Sequence, residues 1–333
     1  MKPLFLGLSG PELTADERTL FASADPAGYI LFKRNCIDPA QLRALTDSLR
    51  DLAGRDLPIL IDQEGGRVAR LQPPHWPLFP AAARFGALYD IAPLSALRAA
   101  ELNGTALALV LRAAGVTVDC LPLIDVRTDA GHDIIGDRAF ASEPMWVSAM
   151  GRATLDGLRS GVVVGVIKHI PGHGRATVDS HLELPVVTAT RAELEADFEP
   201  FRRLKAAPMA MTAHVVYTAL DSAACATLSP TVIDVIRNDI GFDGLLMSDD
   251  LGMAALGGSF AARAQGALAA GCDIALHCSG DLAQMQGIVG AVDEIGPEAE
   301  RRLAAAMAWP ASTEHDLALV IAQRDELLAH APV

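Results

Sequence analysis

Residues 162–184 read VVVGVIKHIPGHGRATVDSHLEL, an apolar run from Val162 to Ile167 that passes without a break into a Gly/Pro-rich segment carrying Lys168, His169, His173, Asp179 and His181. A short, uniformly apolar run suits a strand covered on both faces, as in a parallel sheet. Pro171, Gly172 and Gly174 disfavour regular structure directly after it, so the backbone there is free to present polar side chains from a loop. Loops hung on a rigid scaffold are where chemistry tends to sit. Asp179 and His181 are two residues apart; in extended chain that spacing puts both on one face, where a carboxylate fixes an imidazole's tautomer and raises its basicity. A single histidine in such a turn reads as a solvated or structural group, whereas this combination reads as a catalytic loop with a general acid/base pair.

Seven further apolar runs recur at 4–8, 28–32, 57–61, 116–121, 208–212, 244–247 and 272–276. Between them lie helix-compatible patterns at 41–52, 94–114, 147–160, 194–205 and 261–270, and the region after Pro310 reads as a C-terminal helix with a short tail. Thr14 with Glu17 and Thr190 with Glu193 have capping-box spacing, and Ser229-Pro230 offers a cap followed by proline at the first helical position. Strand and helix alternating this often imply a parallel α/β architecture. Polar residues fall where the runs stop: Asp62-Gln63-Glu64, Lys168-His169, His214 and Ser248-Asp249-Asp250. Barrel enzymes draw their catalytic groups from the C-terminal ends of several strands. No GxGxxG or GxxxxGK[ST] loop supports an open nucleotide-binding sheet. The expected fold is therefore α/β, a single (β/α)8 TIM-type barrel domain over residues 1–333, regular or deformed, with a C-terminal helical extension. An open doubly wound sheet is the rival.

The composition of the 333 residues, 51% hydrophobic and 20% charged, supports a large core and excludes disorder. A net charge of -14 argues against nucleic acid or an anionic membrane surface as a partner. The five cysteines are spread without a CxxC pair, so neither a disulfide framework nor a cysteine-rich zinc site is indicated. The N-terminal apolar run is too short for a signal-peptide core, and every apolar stretch is interrupted before the roughly 20 residues needed to span a bilayer. The expectation is a cytoplasmic monomer.

Among the polar clusters, Asp62 to Arg70 combines two carboxylates, two glycines and two arginines at a strand end, a surface suited to gripping several hydroxyls. Gly136-Asp137-Arg138 follows Leu123-Ile124-Asp125-Val126 in a polar loop and, taken alone, is equally a turn. His214 either touches substrate or hydrogen-bonds a backbone carbonyl. In Asp249-Asp250, one carboxylate is expected to face the barrel mouth while its neighbour caps the next helix or holds the loop. His277 and Cys278 read as packing residues. Two chemistries suit this inventory. In one, a carboxylate attacks a carbon centre while the aspartate-backed histidine protonates the leaving oxygen and later activates water. In the other, His169, His173, His181, His214 and an aspartate bind a divalent metal that activates water, although the HxH and HExxH spacings are absent.

Several motifs in one order, namely Gly7-Leu8-Ser9-Gly10, Asp62 to Arg67, Ile135 to Phe140, Lys168 to Gly174, Asp179-Ser180-His181, Ser248 to Leu251 and Ala270 to Asp273, resemble those of family 3 glycoside hydrolases, specifically the bacterial single-domain β-N-acetylglucosaminidases of cell-wall recycling. The resemblance covers most of the chain. Ile170, where the family usually has an aromatic, and Gly252, where a serine is common, depart from it.

The resemblance implies a retaining exo-β-N-acetylglucosaminidase that removes terminal N-acetylglucosamine from peptidoglycan fragments ending in anhydro-N-acetylmuramic acid, with no cofactor and no metal. It implies Asp249 as nucleophile, His181 as acid/base and Asp179 as its dyad partner. Asp62, Arg70, Arg138, Lys168 and His169 match positions that bind sugar hydroxyls or shape the pocket. A glycine-flanked loop that closes over bound sugar would deliver His181. A phosphorylase that uses phosphate in place of water stays chemically open, because a neutral base repels phosphate less than a carboxylate does.

Overall fold

All eight apolar runs form strands, and the strands close on themselves. The computed structural model describes every residue except Ala130, His181, Ser312, Thr313 and Val333. Its strands, in chain order, are β1 Lys2–Gly7, β2 Pro26–Leu31, β3 Ile59–Ile61, β4 Val118–Asp119, β5 Val164–Ile170, β6 Val186–Val187, β7 Met209–Thr212, β8 Val216–Tyr217, β9 Leu245–Asp250 and β10 Ile274–His277. The ring runs β1-β2-β3-β4-β5-β7-β9-β10 and back to β1, with every pairing parallel. β6 and β8 form a separate two-stranded sheet beside the barrel, which the sequence did not announce. This is the closed parallel α/β barrel, not the open sheet.

The helices are α1 Ala15–Ala24, α2 Pro39–Ala53, α3 Ala82–Tyr89, α4 Pro93–Ala113, α5 Pro144–Ser160, α6 Arg191–Arg203, α7 Pro230–Asp234, α8 Phe260–Ala270, α9 Leu282–Val289, α10 Pro297–Met307 and α11 Leu317–Leu328. Local chemistry starts several of them. The hydroxyls of Thr14 and Thr190 accept from the backbone N–H groups of Glu17 and Glu193, whose carboxylates accept in return from the cap N–H, and Ser229 accepts from Val232 N ahead of Pro230. α11 is the expected C-terminal extension and docks on α4, where Arg324 Nη1 donates to Asn103 Oδ1 at 3.0 Å. α4, with 21 residues and an 18-residue window of mean hydropathy 1.3, is long and apolar enough to cross a membrane by length and composition alone, although Arg98 and Glu101 interrupt it. Its apolar window is mostly covered, by α3, α5 and α11.

The strand period of two then places the site. Inside the barrel, Phe5, Ile30, Leu60, Val118, Cys120, Val164, Val166, Met209, Met211, Leu245, Met247, Ile274 and Leu276 pack as one apolar cluster. Counting two residues on from Ile30, Leu60, Val166, Met247 and Leu276 gives Phe32, Asp62, Lys168, Asp249 and Cys278. All five line the cavity at the C-terminal mouth. The polar layer is thus the next layer of the same stack, and its position follows from the apolar layers beneath it.

Candidate active site

The cavity holds about 310 Å³, at the small end of ligand pockets and of a size for one sugar ring. Lys168, almost wholly buried, sets its charge pattern. Its Nζ lies 2.9 Å from Asp62 Oδ1 and 2.7 Å from Glu64 Oε1. Arg138 grips Glu64 with both Nε and Nη2, each at 2.8 Å, and Arg70 Nη2 reaches Asp62 Oδ2 at 3.2 Å. Burial alone would raise both carboxyls, but Lys168 with Arg70 holds Asp62 below the usual carboxylate range, and Arg138 with Lys168 holds Glu64 far below it. Burial would likewise discharge Lys168, yet Asp62 and Glu64 override it and keep the ammonium protonated. The result is a rigid, fully ionised set of three cations and two carboxylates, preorganised to meet hydroxyls.

β5 supplies the next residues. The Lys168–His169 and Ile170–Pro171 peptide bonds are cis, and the pairing with β7 shifts register between Lys168 and Ile170. That shift lets two consecutive residues, Lys168 and His169, both reach the cavity, against the simple alternation of a strand. Asp125, fully buried, accepts from His169 N at 3.1 Å and from His173 N at 2.7 Å on one oxygen, and faces His169 Nδ1 at 2.8 Å with the other. Against burial, the imidazoles of His169 and His173 hold its carboxyl below the usual range. An ionised Asp125 fixes a proton on His169 Nδ1 and leaves Nε2 for the pocket. Asp125 was not singled out in the sequence. Its signal is a lone carboxylate between Ile124 and Val126 in an otherwise apolar segment, but its partners are some forty residues away.

The paired carboxylates at the end of β9 both line the cavity, but their bonds differ. Asp250 Oδ1 accepts from Gly252 N at 2.9 Å and Cys278 N at 3.0 Å and so holds the loop. Asp249 Oδ1 accepts from Asp250 N at 2.8 Å, and the side chain lines the cavity. Burial works to raise the Asp249 carboxyl, but His214, His169, the Asp250 N–H and Lys168 together hold it below its ordinary value, so it is ionised at neutral pH.

His214 lies two residues beyond the end of β7 and is absent from the cavity wall. Its Nε2 donates to Asp250 O at 3.0 Å and its Nδ1 meets Thr227 Oγ1 at 2.7 Å. Of the two roles open to it, the carbonyl bond is the one found: it braces the backbone beside Asp249. Burial lowers its pKa, which favours that neutral form.

His173 and Ser180 also line the cavity, with His173 Nε2 3.3 Å from Ser180 Oγ. Asp179 precedes Ser180; its carbonyl accepts from Leu182 N at 2.9 Å and Glu183 N at 3.0 Å. His181 lies outside the described residues. Among the described residues, no three His, Cys, Asp or Glu side chains converge to hold a metal ion.

An ionised carboxylate in a one-sugar pocket at a barrel mouth, ringed by fixed charges, defines a carbohydrate-hydrolysing barrel. Residues 6–308 match the glycosyl hydrolase family 3 N terminal domain, and the chain belongs to that family. It is a glycoside hydrolase of the β-hexosaminidase kind. It is 42% identical over 282 residues to a β-hexosaminidase of Alkalilimnicola ehrlichii, covering 83% of this chain and 80% of the relative, and 38% identical over the same shares to one of Bordetella avium. Among solved structures it resembles NagZ from Neisseria gonorrhoeae in complex with N-trifluoroacetyl-D-glucosamine, at a TM-score of 0.88 and 30% identity over 99% of this chain and 98% of that one. It also resembles a family 3 β-N-acetylglucosaminidase from Paenibacillus, at a TM-score of 0.81 and 28% identity over 99% of this chain and 62% of that one.

Proposed function

We propose that the protein is a retaining exo-β-N-acetylglucosaminidase that removes terminal N-acetylglucosamine from peptidoglycan fragments ending in anhydro-N-acetylmuramic acid, working in the cytoplasm as a monomer with the whole chain as one catalytic unit. The observation that carries the chemistry is Asp249, a partly buried carboxylate held ionised on the wall of a cavity of about 310 Å³. The substrate class is supported by the relatives' names and by the N-acylglucosamine bound in the gonococcal enzyme.

In this reading Asp62, Arg70, Arg138, Lys168 and His169 hold the sugar, the charged ring directly or by orienting one another. Asp249 attacks the anomeric carbon as the glycosidic bond breaks, and the departing oxygen takes a proton from His181, which Asp179 orients. His181 then removes a proton from water, water oxygen bonds to the anomeric carbon, and Asp249 leaves as carboxylate with net retention. A histidine acid/base in place of a second carboxylate means that no carboxylate separation reports the stereochemistry.

The test is to trap the glycosyl-enzyme with a slow fluorinated N-acetylglucosamine analogue and map it by mass spectrometry. The label is expected on the peptide that contains Asp249. A label on a peptide lacking Asp249, or release of the α-anomer as first product, overturns the proposal.

A further inference from the structure

The mechanism leaves His173 without a task, although it is 3% exposed, lines the cavity and stands in the loop that leads to Asp179. Its backbone is pinned from three sides. His173 N donates to Asp125 Oδ1 at 2.7 Å, the preceding Gly172 carbonyl accepts from Tyr217 Oη at 2.8 Å, and Ala176 N donates to His173 O at 3.0 Å. From that fixed base the ring reaches across the loop, packs edge-on to His169 with centroids 5.5 Å apart, and meets Ser180 Oγ with Nε2 at 3.3 Å. Its Nδ1 has no hydrogen-bond partner among the described residues, so among them the ring's one bond is the bond to Ser180. Ser180, itself 4% exposed, is held from the other side of the cavity, because its carbonyl accepts from Ala255 N at 3.3 Å in the loop that follows Asp249. Ser180 is therefore where the loop after β5 and the loop after β9 meet over the pocket, and Asp179 and His181 are its chain neighbours.

We propose that His173 is a positioning residue: through Ser180 it ties the turn at Asp179 and Ser180 to the fixed base of the loop and to the Asp249 loop. This rests on the reading of His181 as acid/base. An imidazole suits the task because its ring nitrogen bonds a hydroxyl as donor or acceptor, so the tie survives reorientation of the Ser180 hydroxyl. Its effect on the reaction falls on proton transfer and not on sugar binding. Loss of the tie is therefore felt most where the leaving group needs its proton.

The test is a series of aryl N-acetyl-β-glucosaminides, from acidic dinitrophenol to weakly acidic phenols, measured as kcat/KM on wild type, His173→Phe, Ser180→Ala, the double variant, His173→Gln and His181→Ala, with thermal midpoints alongside. In His173→Gln the new side chain would place an amide nitrogen near the position of the lost ring Nε2. The expected result for His173→Phe and for Ser180→Ala is a loss of roughly tenfold, the worth of one hydrogen bond, on the poorest leaving groups, and little loss on dinitrophenol. The double variant should be no worse than either single, and His173→Gln should recover most of the rate. Should His173→Phe fail to fold, Ser180→Ala carries the same prediction alone. Equal losses across all leaving groups, or single-variant losses that multiply in the double, overturn the proposal. His181→Ala separates the two readings. If it shows a steep leaving-group dependence while Ser180→Ala is flat, this inference fails alone; if His181→Ala is flat, the acid/base reading fails and takes this one with it.

Discussion

Asp125 and His169 share two contacts: one carboxylate oxygen accepts the His169 backbone N–H at 3.1 Å and the other faces its Nδ1 at 2.8 Å. Both contacts need an acceptor. An amide side chain offers one acceptor and one donor, so Asp125→Asn must leave a donor facing a donor or turn the imidazole to its other tautomer. We expect kcat/KM to fall about 10- to 100-fold, the range for a lost charged, buried hydrogen bond, with far-UV circular dichroism unchanged. Wild-type kinetics in this variant would show that His169 orientation is immaterial.

Lys168 stands between Asp62 and Glu64 with almost no exposure, so Lys168→Met removes their shared cation and leaves each carboxylate only its arginine, Arg70 or Arg138. Breaking a buried ionic group by removing one partner typically costs about 3–5 kcal/mol. Urea unfolding should register that loss, and activity should fall with it. A double change of Lys168→Met with Glu64→Gln should recover part of the stability but not the activity, because the sugar-facing charge is still missing.

Burial pushes His173 down to about 4 from its ordinary 6.5. Between those values the unfolded chain takes up a proton at this residue and the folded protein does not, so stability falls as pH drops through this window. The contribution is about 3 kcal/mol across the whole window. His214, also lowered by burial, acts in the same direction. The melting temperature of wild type should decline from about pH 6.5 to about pH 4.5, and His173→Gln should shallow that slope without abolishing it. The depressed carboxyls of Asp62, Glu64 and Asp125 contribute stability that is present above their unfolded values and lost only at lower pH.

With no three metal-binding side chains converging among the described residues, turnover on an aryl N-acetylglucosaminide should be unchanged after exhaustive dialysis against chelator. Adding phosphate should leave the free sugar as product; a sugar 1-phosphate would convert the assignment from hydrolase to phosphorylase.

The barrel was legible because its strands are buried on both faces, which writes each one as an unbroken apolar run. The same rule hid their ends. β5 continues through Lys168 and His169 to Ile170, and β9 through Ser248 to Asp250, where a reading by hydropathy stops at the first polar residue although pairing continues. Asp249 and Lys168 could be placed because they follow the strand phase. Asp125 could not, since its role depends on contacts with residues of another strand and loop. His214 lies two residues beyond the end of β7, so the strand phase could not separate its two possible roles. The short helices α3 and α9, of eight residues each, carry too few turns for an apolar stripe to stand out.

The charged ring rests directly on a solid floor: Leu60, Val166 and Met247, one step below Asp62, Lys168 and Asp249, are wholly buried. A site built on such a plug is a cul-de-sac. A glycan has no way to thread through it and can present only its tip, so the unit of reaction is set by the depth of the well, and each catalytic cycle must end with the freed sugar backing out past the aglycone side.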